Sequence, residues 1–85
     1  QMTNSILQRT IDIIVEKTDL ERDAVKPDTV LATLDIDSID LAEVIFELEE
    51  QFDIEIDMSA ADAWERLKTI SDIADAVSAH VAKQN

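Results

Sequence analysis

The 85-residue sequence has no cysteine, no glycine and a single proline, and it sets only seven Lys and Arg against twenty Asp and Glu. Without cysteine there is no disulfide framework, thiolate metal site or cysteine nucleophile, so any thiol the protein uses must come from outside its own sequence. Without glycine there is no glycine-rich phosphate loop. The Asn-Gly and Gly-containing turns that tight hairpins favour are missing too, which argues against a β-sandwich or barrel. A formal charge of −13 repels nucleic-acid backbones and anionic membrane surfaces. No apolar run approaches the ~20 residues of a membrane span, and no signal peptide is visible. Gln1 ahead of Met2 reads as an added residue and is set aside.

What is present is a chain with 46% hydrophobic residues, enough to fold despite its charge. The length allows one domain, spanning 1–85, which buries only roughly 60% of its extended-chain surface. The charge is concentrated. Residues 27–65 carry thirteen acids and no base, while residues 1–26 sum to −1 and residues 66–85 to +1. Self-repulsion in such a run costs stability, and the same field steers a basic partner.

Periodicity predicts an all-α fold: a small four-helix bundle of three main helices and one short one, with a long loop between the first two main helices. Ser5–Lys17 is amphipathic through Ile6, Leu7, Ile11, Ile14 and Val15. Thr3, Asn4 or Ser5 is its expected cap. Thr18–Asp37 has no helical period and contains Lys26-Pro27. A loop of that length needs anchors, for which Val25, Val30, Leu31, Leu34 and Ile36 are the candidates. Ser38–Phe52 is the clearest helix, with Leu41, Val44, Ile45, Leu48 and Phe52 within about 100° of arc. Asp40, Glu43, Glu47 and Glu50 form a stripe on its far side, with Ile39, Ala42 and Phe46 beside them. An apolar patch rimmed by carboxylates has the anatomy of an interface with a basic, grooved partner. Asp53–Asp57 reads as an extended connector and Ser59–Arg66 as a short helix anchored by Trp64. Thr69-Ile-Ser-Asp72 is a capping-box-like start to the last helix, whose core face is Ile70, Ile73, Ala74, Val77 and Val81.

Little in the sequence suggests catalysis. The single histidine, His80, has no reason to meet a particular serine, so no Ser-His-Asp set can be argued. Neither acidic run fits a calcium loop. Ile39 stands where the first run needs its third ligand, and in the second Met58 replaces the required glycine and Trp64 the closing glutamate. What is left is Asp37-Ser38-Ile39-Asp40, at the junction of the long loop and the clearest helix. By itself it reads as a helix cap, worth ~1 kcal/mol.

Leu34-Asp35-Ile36-Asp37-Ser38-Ile39-Asp40-Leu41, followed by Glu47-Leu48-Glu49-Glu50-Gln51-Phe52-Asp53-Ile54-Glu55-Ile56, resembles the acyl carrier proteins of fatty-acid and polyketide synthesis, and the resemblance extends over essentially the whole chain. It implies a non-catalytic, cytoplasmic, monomeric carrier whose Ser38, next to the motif residue Asp37, bears 4′-phosphopantetheine derived from coenzyme A. The group is installed by a separate phosphopantetheinyl transferase and holds acyl intermediates as thioesters. The resemblance also assigns Asp37, Asp40, Glu43, Glu49 and Glu50 as acidic contacts, and Ile39, Ala42 and Phe46 as apolar contacts, for synthases, ligases and other acyl-transferring enzymes with basic patches. The alternatives are a carrier of aminoacyl or other unusual cargo and an unmodified acidic adaptor. Two departures from the family stand out. Asp35 occupies a position that is usually glycine, and the stretch from Ile56 to Leu67, with Trp64, is a few residues longer than in typical fatty-acid carriers.

Overall fold

The computed structural model describes residues 2–56, 62 and 65–84, with side chains for 5–56, 62 and 65–83. Three long helices carry the fold: α1 (Met2–Lys17), α2 (Ser38–Phe52) and α3 (Ile70–Gln84). Among the described residues the only β-pairing is an isolated antiparallel bridge between Val30 and Thr69. The fold is therefore all-α, as the composition predicts. The expected short helix over Ser59–Arg66, with Trp64, lies mostly outside the described residues; Asp62, Glu65 and Arg66 are helical.

The core is aliphatic. Leu41, Val44, Ile45 and Leu48 of α2 face Ile70, Ile73, Ala74 and Val77 of α3 and Ile6, Ile11, Ile13 and Ile14 of α1 within one buried cluster. Phe52 and Val81, expected on the core stripes, are partly buried at its margin. Helix α1 departs most from its expected pattern. It begins at Met2, so Thr3, Asn4 and Ser5 lie inside its first turns instead of capping it. Ile13 and Thr10 are buried as well, while Leu7 and Val15 are only half-buried. The reason is position: α1 packs on both α2 and α3, so it buries a wider arc than a single stripe supplies. Thr10 is tolerated there because its hydroxyl donates to the Ile6 carbonyl at 2.8 Å.

The long loop is tied down by backbone as well as by side chains. Two 3₁₀ turns, Arg22–Ala24 and Leu31–Thr33, shape it. Val25, Leu31 and Ile36 insert into the core and Leu34 packs against it. Val30 does not: it is 43% exposed, and it contributes through its backbone bridge to Thr69 instead. Around that bridge the Leu31 amide donates to the Lys68 carbonyl (2.8 Å), Ile70 to Thr29 (3.2 Å) and Ser71 to Pro27 (2.8 Å). Loop carbonyls thus satisfy amides that the first turn of α3 leaves without intrahelical partners.

The start of α3 is a reciprocal capping box. The Asp72 carboxylate accepts from the Thr69 and Lys68 amides, both at 3.0 Å, and the Asp72 amide donates to Thr69 Oγ1 at 3.1 Å. The backbone bonds from Thr69 and then Lys68 hold the Asp72 carboxyl below the usual carboxylate range. Because the folded state favours the ionised form, this contribution is present above the ordinary Asp pKa and is lost as pH falls through the lowered one. Asp72→Ala is therefore expected to cost about 1 kcal/mol at neutral pH, the scale of a lost helix cap. The loss should shrink as urea unfolding is repeated at successively lower pH, because the wild-type carboxyl gives up this contribution as pH falls through its lowered pKa. A loss that stays constant down the pH series would contradict the capping role.

Candidate functional site

The conformation around Ser38 is set by its neighbour. Asp37 is the N-cap of α2, with extended backbone (φ −85°, ψ 173°), and its side chain accepts from the Asp40 amide at 2.8 Å. The Asp37 carbonyl takes the first helical bond, from the Leu41 amide at 3.0 Å. Ser38 is then the first residue of the helix and is exposed, with its hydroxyl left out of the cap. Ile36, one residue before the cap, is buried and pins the incoming chain. Asp35 is exposed and needs no glycine-like freedom, since Asp53 is the one non-glycine residue with positive φ among the described residues.

Carboxylates crowd this junction. Partial desolvation first, then the charges of Asp37, Glu43 and Asp19, push the Asp40 carboxyl above the usual Asp range. Against them stand the amides of the first turn of α2 and the positive end of its dipole, which favour an anion at Ser38.

Along the outer face of α2, Ile39 is 70% exposed, Phe46 is 60% exposed, and Ala42 is exposed between them. With Ser38, Glu43, Glu47 and Lys17 they line a groove of about 530 Å³. Lys17 comes from the end of α1 and lies 3.6 Å from Glu47, which also accepts from the Gln51 side chain at 2.9 Å. The Gln51 amide, and after it the Lys17 ammonium, hold the Glu47 carboxyl below its ordinary value. Glu47, one of the far-side stripe, is thus already engaged. So is Glu49, which is half-buried and accepts from the Ile56 amide at 2.7 Å, clasping the connector to α2. The helix itself ends on Asp53 in the left-handed region (φ 52°, ψ 51°), and the Asp53 and Ile54 amides both reach the Glu49 carbonyl. In a chain without glycine, Asp is one of the few residues that adopts this conformation readily.

The structure therefore brings Ser38, Ile39, Ala42, Glu43 and Phe46 together along one groove, places Asp37 and Asp40 at the first turn of the same helix, leaves Glu50 exposed farther along it, and turns Glu49 toward the connector. Nothing local in the sequence signals Lys17 in the groove wall or the charge of Asp19 acting on Asp40, because each links segments far apart in the chain. Among the described residues no group of three or more acids and His is placed to hold a metal ion. His80 is half-buried on α3, its Nδ1 2.8 Å from the Ala76 carbonyl oxygen.

Residues 8–77 match the protein family described as "Phosphopantetheine attachment site". The chain is 33% identical over 69 residues to the acyl carrier protein of Lactococcus lactis subsp. cremoris, covering 81% of this chain and 88% of that one. The chain belongs to the acyl carrier protein family. Over a similar span it is 39% identical to Nodulation protein F of Rhizobium leguminosarum bv. viciae, covering 81% of this chain and 75% of that protein. It is 41% identical over 64 residues to the acyl carrier protein of Bdellovibrio bacteriovorus (74% and 78%). As a member of this family the protein carries acyl groups on 4′-phosphopantetheine. That group supplies a flexible arm ending in a thiol, which a cysteine-free chain cannot provide for itself. The site fits it, because an exposed serine opens a helix whose N-terminal dipole favours a phosphate. As a carrier it works with partner enzymes. Among the described residues no helix is long and apolar enough to cross a membrane.

Proposed function

We propose that Ser38 is the attachment residue, joined to 4′-phosphopantetheine through a phosphodiester by a separate transferase. The observation that carries this reading is the exposure of Ser38 at the first helical position, with Asp37 taking the capping role in its place. No local base is needed, since the transferase supplies the catalysis and this chain only presents the hydroxyl. Its own chemistry is limited to positioning: Asp37 fixes the turn, Ile36 pins the approach, and the positive end of the α2 dipole would favour the phosphate. The protein is read as a single non-catalytic domain over residues 1–85, a monomer of the cytoplasm. The recognition face is α2. Ile39, Ala42 and Phe46 form its apolar centre, and Asp37, Asp40, Glu43 and Glu50 form an acidic rim that steers enzymes with basic patches, among them the transferase, synthases, ligases and other acyl-transferring enzymes. Glu49 supports this face by holding the connector.

Incubated with coenzyme A and a broad-specificity phosphopantetheinyl transferase, the wild-type chain should gain one phosphopantetheine by intact mass. Ser38→Ala should gain none while keeping its helical circular dichroism. Loading of the Ser38→Ala variant would overturn the assignment. Reversal of the rim, Glu43→Lys with Glu50→Lys, should raise the KM of the transferase for this protein about tenfold, the equivalent of ~1.4 kcal/mol. It should also flatten the dependence of that KM on salt. Unchanged kinetics in the double variant would remove the steering argument.

A further inference from the structure

Glu47 belongs to the acidic stripe of α2 but not to the contact positions that the family resemblance assigns. It is also held differently from its neighbours. Each of its carboxylate oxygens has a partner of its own: Oε1 lies 3.6 Å from the Lys17 Nζ, and Oε2 accepts from the Gln51 side-chain amide at 2.9 Å. Glu43, one turn earlier in the same groove wall, is exposed and has no ion pair among the described residues. Residues 27–65 contain no base, so a cation beside the acids of α2 has to come from another segment. The end of α1 delivers it, and Lys17 is the one base among the residues lining the groove. The pair is not sealed. The Lys17 and Glu47 side chains keep 35% and 24% of their exposure, so an approaching surface meets both charges. An ion pair this exposed contributes little to stability. Its larger effect is on what docks beside it, because a like charge set against a fixed ammonium is penalised in an interface.

We propose that Lys17 is a specificity-determining residue of the recognition face: seated on Glu47, it cancels that carboxylate and rejects partner surfaces that set a base against it. The proposal rests on the reading of α2 as the recognition face. The partner it selects has bases opposite Asp40 and Glu43, an apolar side chain opposite Phe46, and none of its bases opposite Glu47. Charge complementarity argues for this occupant. The wall of the groove is acidic at Glu43 and compensated at Glu47, while Ile39, Ala42 and Phe46 run along the groove as exposed apolar surface. A uniformly basic patch therefore meets attraction at the Ser38 end and an ammonium farther along.

The test is the dissociation constant of the broad-specificity phosphopantetheinyl transferase for the full chain, by titration calorimetry at two salt concentrations. Coenzyme A is omitted, so nothing is transferred and the result is separate from the loading experiment on Ser38. Lys17→Met should tighten binding about threefold and steepen its salt dependence. Glu47→Gln, which leaves Lys17 unpaired, should weaken it by a similar factor, and the double variant should return to the wild-type value. Lys17→Arg should also keep the wild-type value. Lys83→Met is the control for net charge: it removes an exposed base in the last turn of α3, outside the groove, and should leave binding unchanged. Unchanged or weaker binding by Lys17→Met would overturn the proposal, as would an equal gain from Lys83→Met. So would a double variant well below wild type, because Glu47 would then be a direct contact. A lowered urea midpoint for Lys17→Met with an unaltered salt dependence of binding would reduce the pair to a tie between α1 and α2 and overturn it equally. Glu43→Gln should weaken binding in the same assay; if it does not, the recognition-face reading falls and this proposal with it, while Ser38 as the attachment residue stands.

Discussion

One hydrogen bond organises the site: the Asp40 amide to the Asp37 carboxylate. Serine and aspartate compete to cap a helix, since each satisfies an orphan amide of the first turn. Here aspartate takes the role. The serine is moved one position into the helix, where it is exposed and has no capping work. Had Ser38 been the cap, its oxygen would have been turned back onto the backbone. The buried Ile36 on one side and Leu41 on the other fix the position of the turn against the core, so the exposed hydroxyl sits on a rigid mount.

The same helix shows how a chain of net charge −13 remains folded. The acids are distributed by role. Asp37 and Asp72 lie at helix N-termini, where amides and the dipole favour negative charge. Glu49 fastens the connector and Glu47 meets Lys17. Exposed ion pairs contribute little each, so the residual repulsion falls on the acids with a solvated rim, Glu43 and Glu50 among them. At Asp40 the repulsion is visible directly, as a carboxyl pushed above its ordinary range by desolvation and by the acids around it.

Much of this was legible in the residues. The α2 stripe sorts its buried and exposed positions correctly because a helix facing one core follows a single period, and Ile39 and Phe46 are exposed as the wheel places them. The Thr69–Asp72 box is local, so it could be read directly. What could not be read depends on tertiary context. The wide buried arc of α1, with Ile13 and Thr10, follows from its lying between two helices. Val30 faces outward because its backbone pairs with Thr69, which no local pattern reveals. Glu49 matches a contact position by spacing, yet its carboxylate is turned to Ile56 by a connector whose path the sequence does not specify. The motif indicated Ser38, but the groove beside it needs Lys17 from another helix.

The proposed tether for the arm is the Ser38 hydroxyl. The most direct measurement is fragmentation mass spectrometry of the protein purified from cells that make it together with their own transferase. The expected spectrum localises one phosphopantetheine to Ser38. A mature protein that is unmodified there, or that bears the group on another residue, would contradict the account.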